Sequence, residues 1–229
     1  MNNTLFDIGI NSGTDKISHH GYHRFYSKYI KRDIAKLLEI GIADGHSVNL
    51  WLDYCPNAYI YGMDINKEYS RERLLVLRGD QSKEQDLENI KSNVGDNLDV
   101  LIDDGSHIPE HQLLSFEKLF PIIRAGGIYI IEDIEISYWK QSQYIYETRY
   151  GSEHKLNLIN VFKDVLHLLN KEFINEIDLQ SIRLRCTIPD FIIDTISTIT
   201  FCQNCIIITK KEEYEYQYNN RTYRFSHYI

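Results

Sequence analysis

Four short apolar runs, each ending in an acid or a glycine turn, most constrain what this chain can fold into. They are AKLLEIGI at 35–42, YIYGMDI at 59–65, LDVLIDD at 98–104 and IYIIED at 128–133, with a further run at 74–79. Runs this short, apolar on consecutive positions, are strands buried on both faces. The stretches 46–54 and 109–119 between them read as helices, and 155–173 is the clearest long one. Strands alternating with helices give a mostly parallel α/β sheet covered on both sides. Near the end, 195–201 and 205–210 form an antiparallel hairpin closed by Gln203-Asn204. Gly126-Gly127 reads as a turn, and Tyr22, Phe25, Tyr26 and Tyr29 recur at helical spacing. No repeat or linker divides the chain, so a single domain over 1–229 is expected.

Composition removes several classes of function. At 43% hydrophobic and 25% charged residues, the chain is an ordinary globular one and not a disordered one. A net charge of −8 is the wrong field for a nucleic-acid binder, which needs a basic surface. The opening MNNTLFDIGI lacks a signal-peptide pattern, and no run reaches the length of a membrane span. The four scattered cysteines make no disulfide framework, so a reduced, cytoplasmic protein is expected. Cys202 and Cys205 have C-x-x-C spacing, but no second ligand pair accompanies them.

In open α/β sheets, ligands bind beyond the carboxyl ends of the strands. The first such end is Glu39-Ile40-Gly41-Ile42-Ala43-Asp44-Gly45-His46-Ser47, whose glycines permit a tight turn and close backbone approach. Asp64, ending the next strand, is at the offset of an acid that binds ribose hydroxyls. The loop is G-x-x-x-G and not the G-x-G-x-x-G of dinucleotide sites, which favours S-adenosylmethionine over NAD. Asp80 and Gln81 follow the third strand and are candidates for the adenine edge, and Asp103 is placed on the cofactor side of the fourth. Asp104, Glu132 and Asp133 end neighbouring strands and converge on one volume. Three carboxylates there would repel without a cation, and Mg²⁺ with oxygen ligands resolves the conflict. His107, three residues from Asp104 across a glycine, is the candidate general base. His19, His20 and His23, beside Lys16, Arg24 and Lys28, form a basic segment that reads as a solvated helix face or as a cationic flap over an anionic acceptor. Lys163 and Asp164 read as a surface pair on the long helix.

The segments LLEIGIADGHSVNLW, IYGMDIN, RGDQS, VLIDDGSH and GGIYIIEDIEISYW resemble the class I S-adenosylmethionine-dependent O-methyltransferases. Within them the likeness is to the metal-dependent sugar O-methyltransferases of macrolide biosynthesis and their cephalosporin hydroxylase-like relatives, over roughly residues 12–140. The resemblance implies a Rossmann-like, doubly wound, mostly parallel seven-stranded sheet with the antiparallel C-terminal hairpin. It makes 1–33 a segment covering cofactor and substrate, 34–210 the core and 211–229 a tail. It implies that Asp104, Glu132 and Asp133 hold Mg²⁺, that His107 is the base, and that Tyr138 and Trp139 line the acceptor pocket. The implied reaction is methylation of a hydroxyl on a sugar or glycan-related small molecule, in surface polysaccharide or secondary-metabolite synthesis. Alternatives left open are transfer to a phosphate-type oxygen or to nitrogen, and a metal-dependent hydroxylase or hydrolase. The tyrosine-rich tail offers a homodimer contact.

Overall fold

The computed structural model describes residues 3–218. Its centre is one sheet of β1 (Lys36–Ile40), β2 (Tyr59–Asp64), β3 (Tyr69–Arg71), β4 (Leu74–Arg78), β5 (Leu98–Asp103), β6 (Ile123–Glu132), β7 (Ile196–Cys202) and β8 (Cys205–Lys210). The helices are α1 (Leu5–Gly9), α2 (Asp15–Ser18), α3 (His23–Tyr29), α4 (His46–Tyr54), α5 (Glu84–Val94), α6 (Pro109–Leu119), α7 (Ser142–Ile145), α8 (Leu158–Leu169), α9 (Glu176–Arg185) and α10 (Asp190–Ile193).

The strand order is β3-β4-β2-β1-β5-β6-β8-β7. β4, β2, β1, β5 and β6 run parallel, and β8 joins β6 antiparallel with β7 at the edge. The order reverses between β1 and β5, so a crevice opens where their carboxyl ends diverge. Two apolar layers hold the sheet. Leu38, Ile40, Leu101, Tyr129 and Ile131 face α5, α6 and α8, while Leu37, Val100, Ile102, Ile128 and Ile130 face α4 and the N-terminal helices. Alternation along each strand divides these side chains between the layers.

Eight strands, not seven, make the sheet. The added one, β3, is exposed at all three residues and pairs antiparallel with β4, so no apolar run marks it. Gly126-Gly127 is not a turn. It lies inside β6, where the pairing with β5 jumps from Leu98↔Ile123 to Val100↔Ile128 and the intervening residues bulge. The 155–173 helix is shorter, with α8 ending at Leu169 and a 3₁₀ turn at Lys171–Phe173. Asp164 is not a surface partner of Lys163. It is buried and accepts from Arg185 of α9 at 3.0 Å. Of the tail, 213–218 forms a 3₁₀ turn, and 219–229 lies outside the described residues.

Candidate active site

β5 lies between β1 and β6, with Asp103 in register with both Ile40 and Ile131. The acids at these strand ends therefore start as neighbours. Successive strand residues point to opposite faces, and that splits Asp103 from Asp104, while Asp133 turns out of β6 in a left-handed conformation. Asp103 faces the side of Leu101 and Tyr129. It accepts from Gln81 Nε2 at 2.6 and 2.8 Å and from the Tyr129 hydroxyl at 3.3 Å. Burial pushes its pKa up to about 6, against the pull of the Gln81 amide. Glu39 and Glu132 face the other side, toward α4 and the N-terminal helices. Asp104 and Asp133 lie one residue past their strands and border the crevice.

Lys16 enters between Glu39, Asp104 and Glu132. It is 1% exposed, with its ammonium 3.2 Å from Glu39 Oε1, 2.8 Å from Glu132 Oε2, and hydrogen-bonded to Asp104. Burial alone would drive it toward neutrality, but Asp104, Glu132 and Glu39 hold it well above an ordinary lysine. Glu132 is pushed well above the usual carboxyl range by burial and then by Asp104. Its remaining oxygen accepts from the Tyr26 hydroxyl, and its main-chain carbonyl accepts from Gln112 Nε2 at 2.9 Å. Glu39 also accepts from Trp51 Nε1 at 3.1 Å.

The outward side of the same cluster is different. Asp104, His107 and Asp133 are half-buried and each brings a ligand atom within 4.8 Å of the others. His107 Nε2 lies 3.8 Å from Asp133 Oδ2, and its buried Nδ1 has no hydrogen-bond partner. This pair of carboxylates beside an imidazole, open to a cavity, fits a hard divalent cation. Asp104 belongs to both groups, with one oxygen on Lys16, whereas Glu39 and Glu132 lie wholly inside.

A cavity of about 450 Å³ leads from these residues along Gly41, Ala43, Asp44 and Ser47 to Asp64, walled by Gly13–Lys16. A second, of about 390 Å³, shares Gly41, Asp64 and Gly105 with it and continues past Met63, Ile65, Asp80, Gln81 and His111. The two form one trench with a polar end and a more apolar end. Gly41 has φ +85°, and a Cβ there would collide with the Asp104 carbonyl, so only glycine lets the two loops touch.

The trench gathers Gly41, Ala43, Asp44, Ser47, Asp64, Asp80, Gln81, Asp104, His107 and Asp133. Some of these are already engaged. Asp64 accepts four backbone N–H groups, from Ile42, Ala43, Asn66 and Lys67, at 2.8–3.1 Å. Burial would raise its pKa, but those bonds prevail and lower it. Gln81 ties Asp103 to the Ser106 N–H, and Asp80 accepts from Ser82. Glu39 and Asp103 line neither cavity, nor do Tyr138 and Trp139. Those aromatics sit at the end of a 3₁₀ turn after Asp133, at 63% and 37% exposure, with Trp139 packed on Tyr146 at 5.6 Å. Of the basic segment, His20 stacks on Tyr22 and comes within 3.6 Å of Asp133. Sequence reasoning gave no site role to Lys16 within the cluster, to Tyr22 and Tyr26 on the acids, or to Gln112. Their contacts span up to 116 residues, and nothing local announces them.

No protein-family profile matches the chain. Its order of strands and helices over 96% of its length matches the mycinamycin-pathway methyltransferase MycE in complex with Mg and SAH, with a TM-score of 0.78 and 23% identity. The fold is that of a class I methyltransferase. The same enzyme in complex with Mg, SAH and mycinamycin VI matches with a TM-score of 0.78 at 24% identity. Curated relatives are sugar O-methyltransferases. A tetracenomycin-C rhamnosyl 2'-O-methyltransferase of Streptomyces olivaceus is 35% identical over 155 residues, 62% of this chain and 41% of the relative. Mycinamicin VI 2''-O-methyltransferase of Micromonospora griseorubida is 38% identical over 127 residues, 52% of this chain and 31% of the relative. The matched stretch thus takes up less than half the length of these relatives, and the chain spans 56% of MycE. Among the described residues, no helix is long and apolar enough to cross a membrane.

Proposed function

We propose that this chain is an S-adenosylmethionine-dependent O-methyltransferase, using Mg²⁺ and acting on a hydroxyl of a sugar or glycan-related small molecule. The observation that carries it is the half-buried Asp104, His107 and Asp133 group at one end of a trench floored by the Gly41 loop. In this reading the methionine part of the donor lies along Gly41, Ala43, Asp44 and Ser47, the ribose near Asp64, and the adenine in the more apolar cavity beside Met63 and Ile65. Asp64, filled by backbone donors, serves first to hold the loop in shape. Asp104 and Asp133 would hold the cation, Asp104 through the oxygen not bonded to Lys16, with Glu132 behind them in contact with the same ammonium.

Methyl transfer from a sulfonium is an in-line displacement, so alignment supplies much of the rate, up to roughly 7–11 kcal/mol in favourable cases. When bound, the cation would orient the acceptor hydroxyl and make it more acidic. His107 Nε2 is the atom placed to take the proton, with Asp133 Oδ2 at 3.8 Å to steady the imidazolium. Lys16 and the segment around it wall the cavity and cover Glu39 and Glu132, which are buried. Tyr138 and Trp139, exposed beside Asp133, would meet the acceptor once it is seated. A cytoplasmic location and a homodimer belong to the same proposal.

Calorimetric titration with S-adenosylhomocysteine, with and without Mg²⁺, tests it. Micromolar binding supports the donor assignment, and methylation of a sugar acceptor that is lost in EDTA supports the rest. No binding in either condition would remove the cofactor.

A further inference from the structure

Asp133 is in an unusual conformation. Its φ of +51° and ψ of 58° lie in the left-handed region that residues with a Cβ avoid, at a cost of about 1 kcal/mol. Contacts from beyond its own strand hold it there. Two donors meet at its Oδ1: the Tyr22 hydroxyl at 2.5 Å and Asn204 Nδ2 at 2.9 Å. The other oxygen, Oδ2, is the one that faces His107.

The sheet's topology explains why Asn204 is there. β8 runs antiparallel to β6 with Cys205 opposite Glu132, so the residue before Cys205 comes up against the residue after Glu132. Asn204 forms half of the two-residue turn between β7 and β8 and has φ +59°. Its carbonyl also lies 3.1 Å from the Tyr22 hydroxyl, whose single proton is taken by the nearer Asp133. The Asn204 amide is thus the second donor that Tyr22 cannot supply.

We propose that Asn204 is a positioning residue of the active site. By occupying one oxygen it fixes the rotation of the Asp133 carboxylate, so that the other oxygen faces His107 and the cavity. The inference rests on the proposed cation-dependent reading of that group, in which Asp133 is a ligand. Groups that orient a ligating side chain typically contribute 10–100-fold to metal affinity.

Asn204→Gly gives a clean test, because glycine adopts φ +59° readily and keeps the turn while removing only the amide. Mg²⁺ titration of the S-adenosylhomocysteine complex should show about tenfold weaker cation binding in Asn204→Gly. The variant should still unfold in one cooperative transition, a few degrees lower at most, and its S-adenosylhomocysteine affinity should stay at the wild-type value. Tyr22→Phe, which removes the other donor while keeping the ring, should weaken Mg²⁺ binding to a similar degree. Gln203→Ala, in the same turn but with its side chain bonded to Arg24, should leave it unchanged. Mg²⁺ affinity within twofold of wild type in folded Asn204→Gly would overturn the inference and leave the functional reading standing. Wild-type protein that binds S-adenosylhomocysteine but no Mg²⁺ would overturn both the inference and the metal half of that reading.

Discussion

The acid cluster has two sides that differ in how their charge is balanced. On the inner side, Glu39 and Glu132 are fully buried, and the Lys16 ammonium reaches both. On the outer side, Asp104 and Asp133 are half-buried around His107, and the cavity opens onto them. Both sides are built on a pair of carboxylates, glutamates within and aspartates without. What differs is that Lys16 engages both inner carboxylates and one oxygen of Asp104, which bridges the two sides, while Asp133 and His107 have no lysine or arginine partner among the described residues and face the cavity. The inner and outer acids are thus separated by depth, with Glu39 and Glu132 within the strands and Asp104 and Asp133 one residue past them at the cavity.

The sharpest way to break this contrast is to remove the inner cation. Lys16→Met leaves buried carboxylates unpaired and is expected to destabilise the fold by about 3–5 kcal/mol, read by urea denaturation. If the loss is under about 1 kcal/mol, the inner side is not a structural ion cluster. His107→Ala should do the opposite. It should keep the fold and S-adenosylhomocysteine binding while turnover falls by roughly 10²–10⁴-fold, as measured in a methyl-transfer assay.

A smaller effect concerns Asp103, which faces away from both sides. Its folded-state pKa of about 6 lies above the ordinary 3.8. The folded chain therefore keeps a proton that the unfolded chain has released between those values. The favourable contribution is full below pH 4 and is lost as pH rises through 6, by about 3 kcal/mol at most. Asp103→Asn should flatten that part of the stability profile, so its stability relative to wild type should rise from pH 4.5 to pH 7.5. A parallel profile would show that Asp103 ionises normally. Least of all, Arg185→Ala should cost about 1 kcal/mol, since the Arg185 side chain that pairs with buried Asp164 is 38% exposed.

Much of the outer side was legible in the sequence, because it depends on local rules. Short apolar runs became β1, β2, β4, β5 and β6, and their acidic ends collected at the switch point as that architecture requires. α4 and α6 begin and end where their patterns do. The inner side was not legible, because Lys16 lies in a polar stretch, NSGTDK, that resembles any solvated loop. Its burial depends on the N-terminal segment folding across strands that come far later in the chain. Other features have readable signals. Leu87, Ile90 and Val94 mark α5 at helical spacing. Period-two alternation by itself sends Asp103 and Asp104 to opposite faces, whereas Asp133 leaves the strand conformation and is placed by the turn that follows β6.

The chain has two tryptophans, and they sit at opposite extremes of this arrangement. Trp51 is fully buried with its indole N–H on Glu39, one side chain away from Lys16. Trp139 is partly exposed on the turn that follows Asp133. Their emission should therefore separate under an aqueous quencher, with the Trp139 component quenched and the Trp51 component spared. The spared component would report whether the N-terminal segment stays seated, and the quenched one when an acceptor arrives, without any added label.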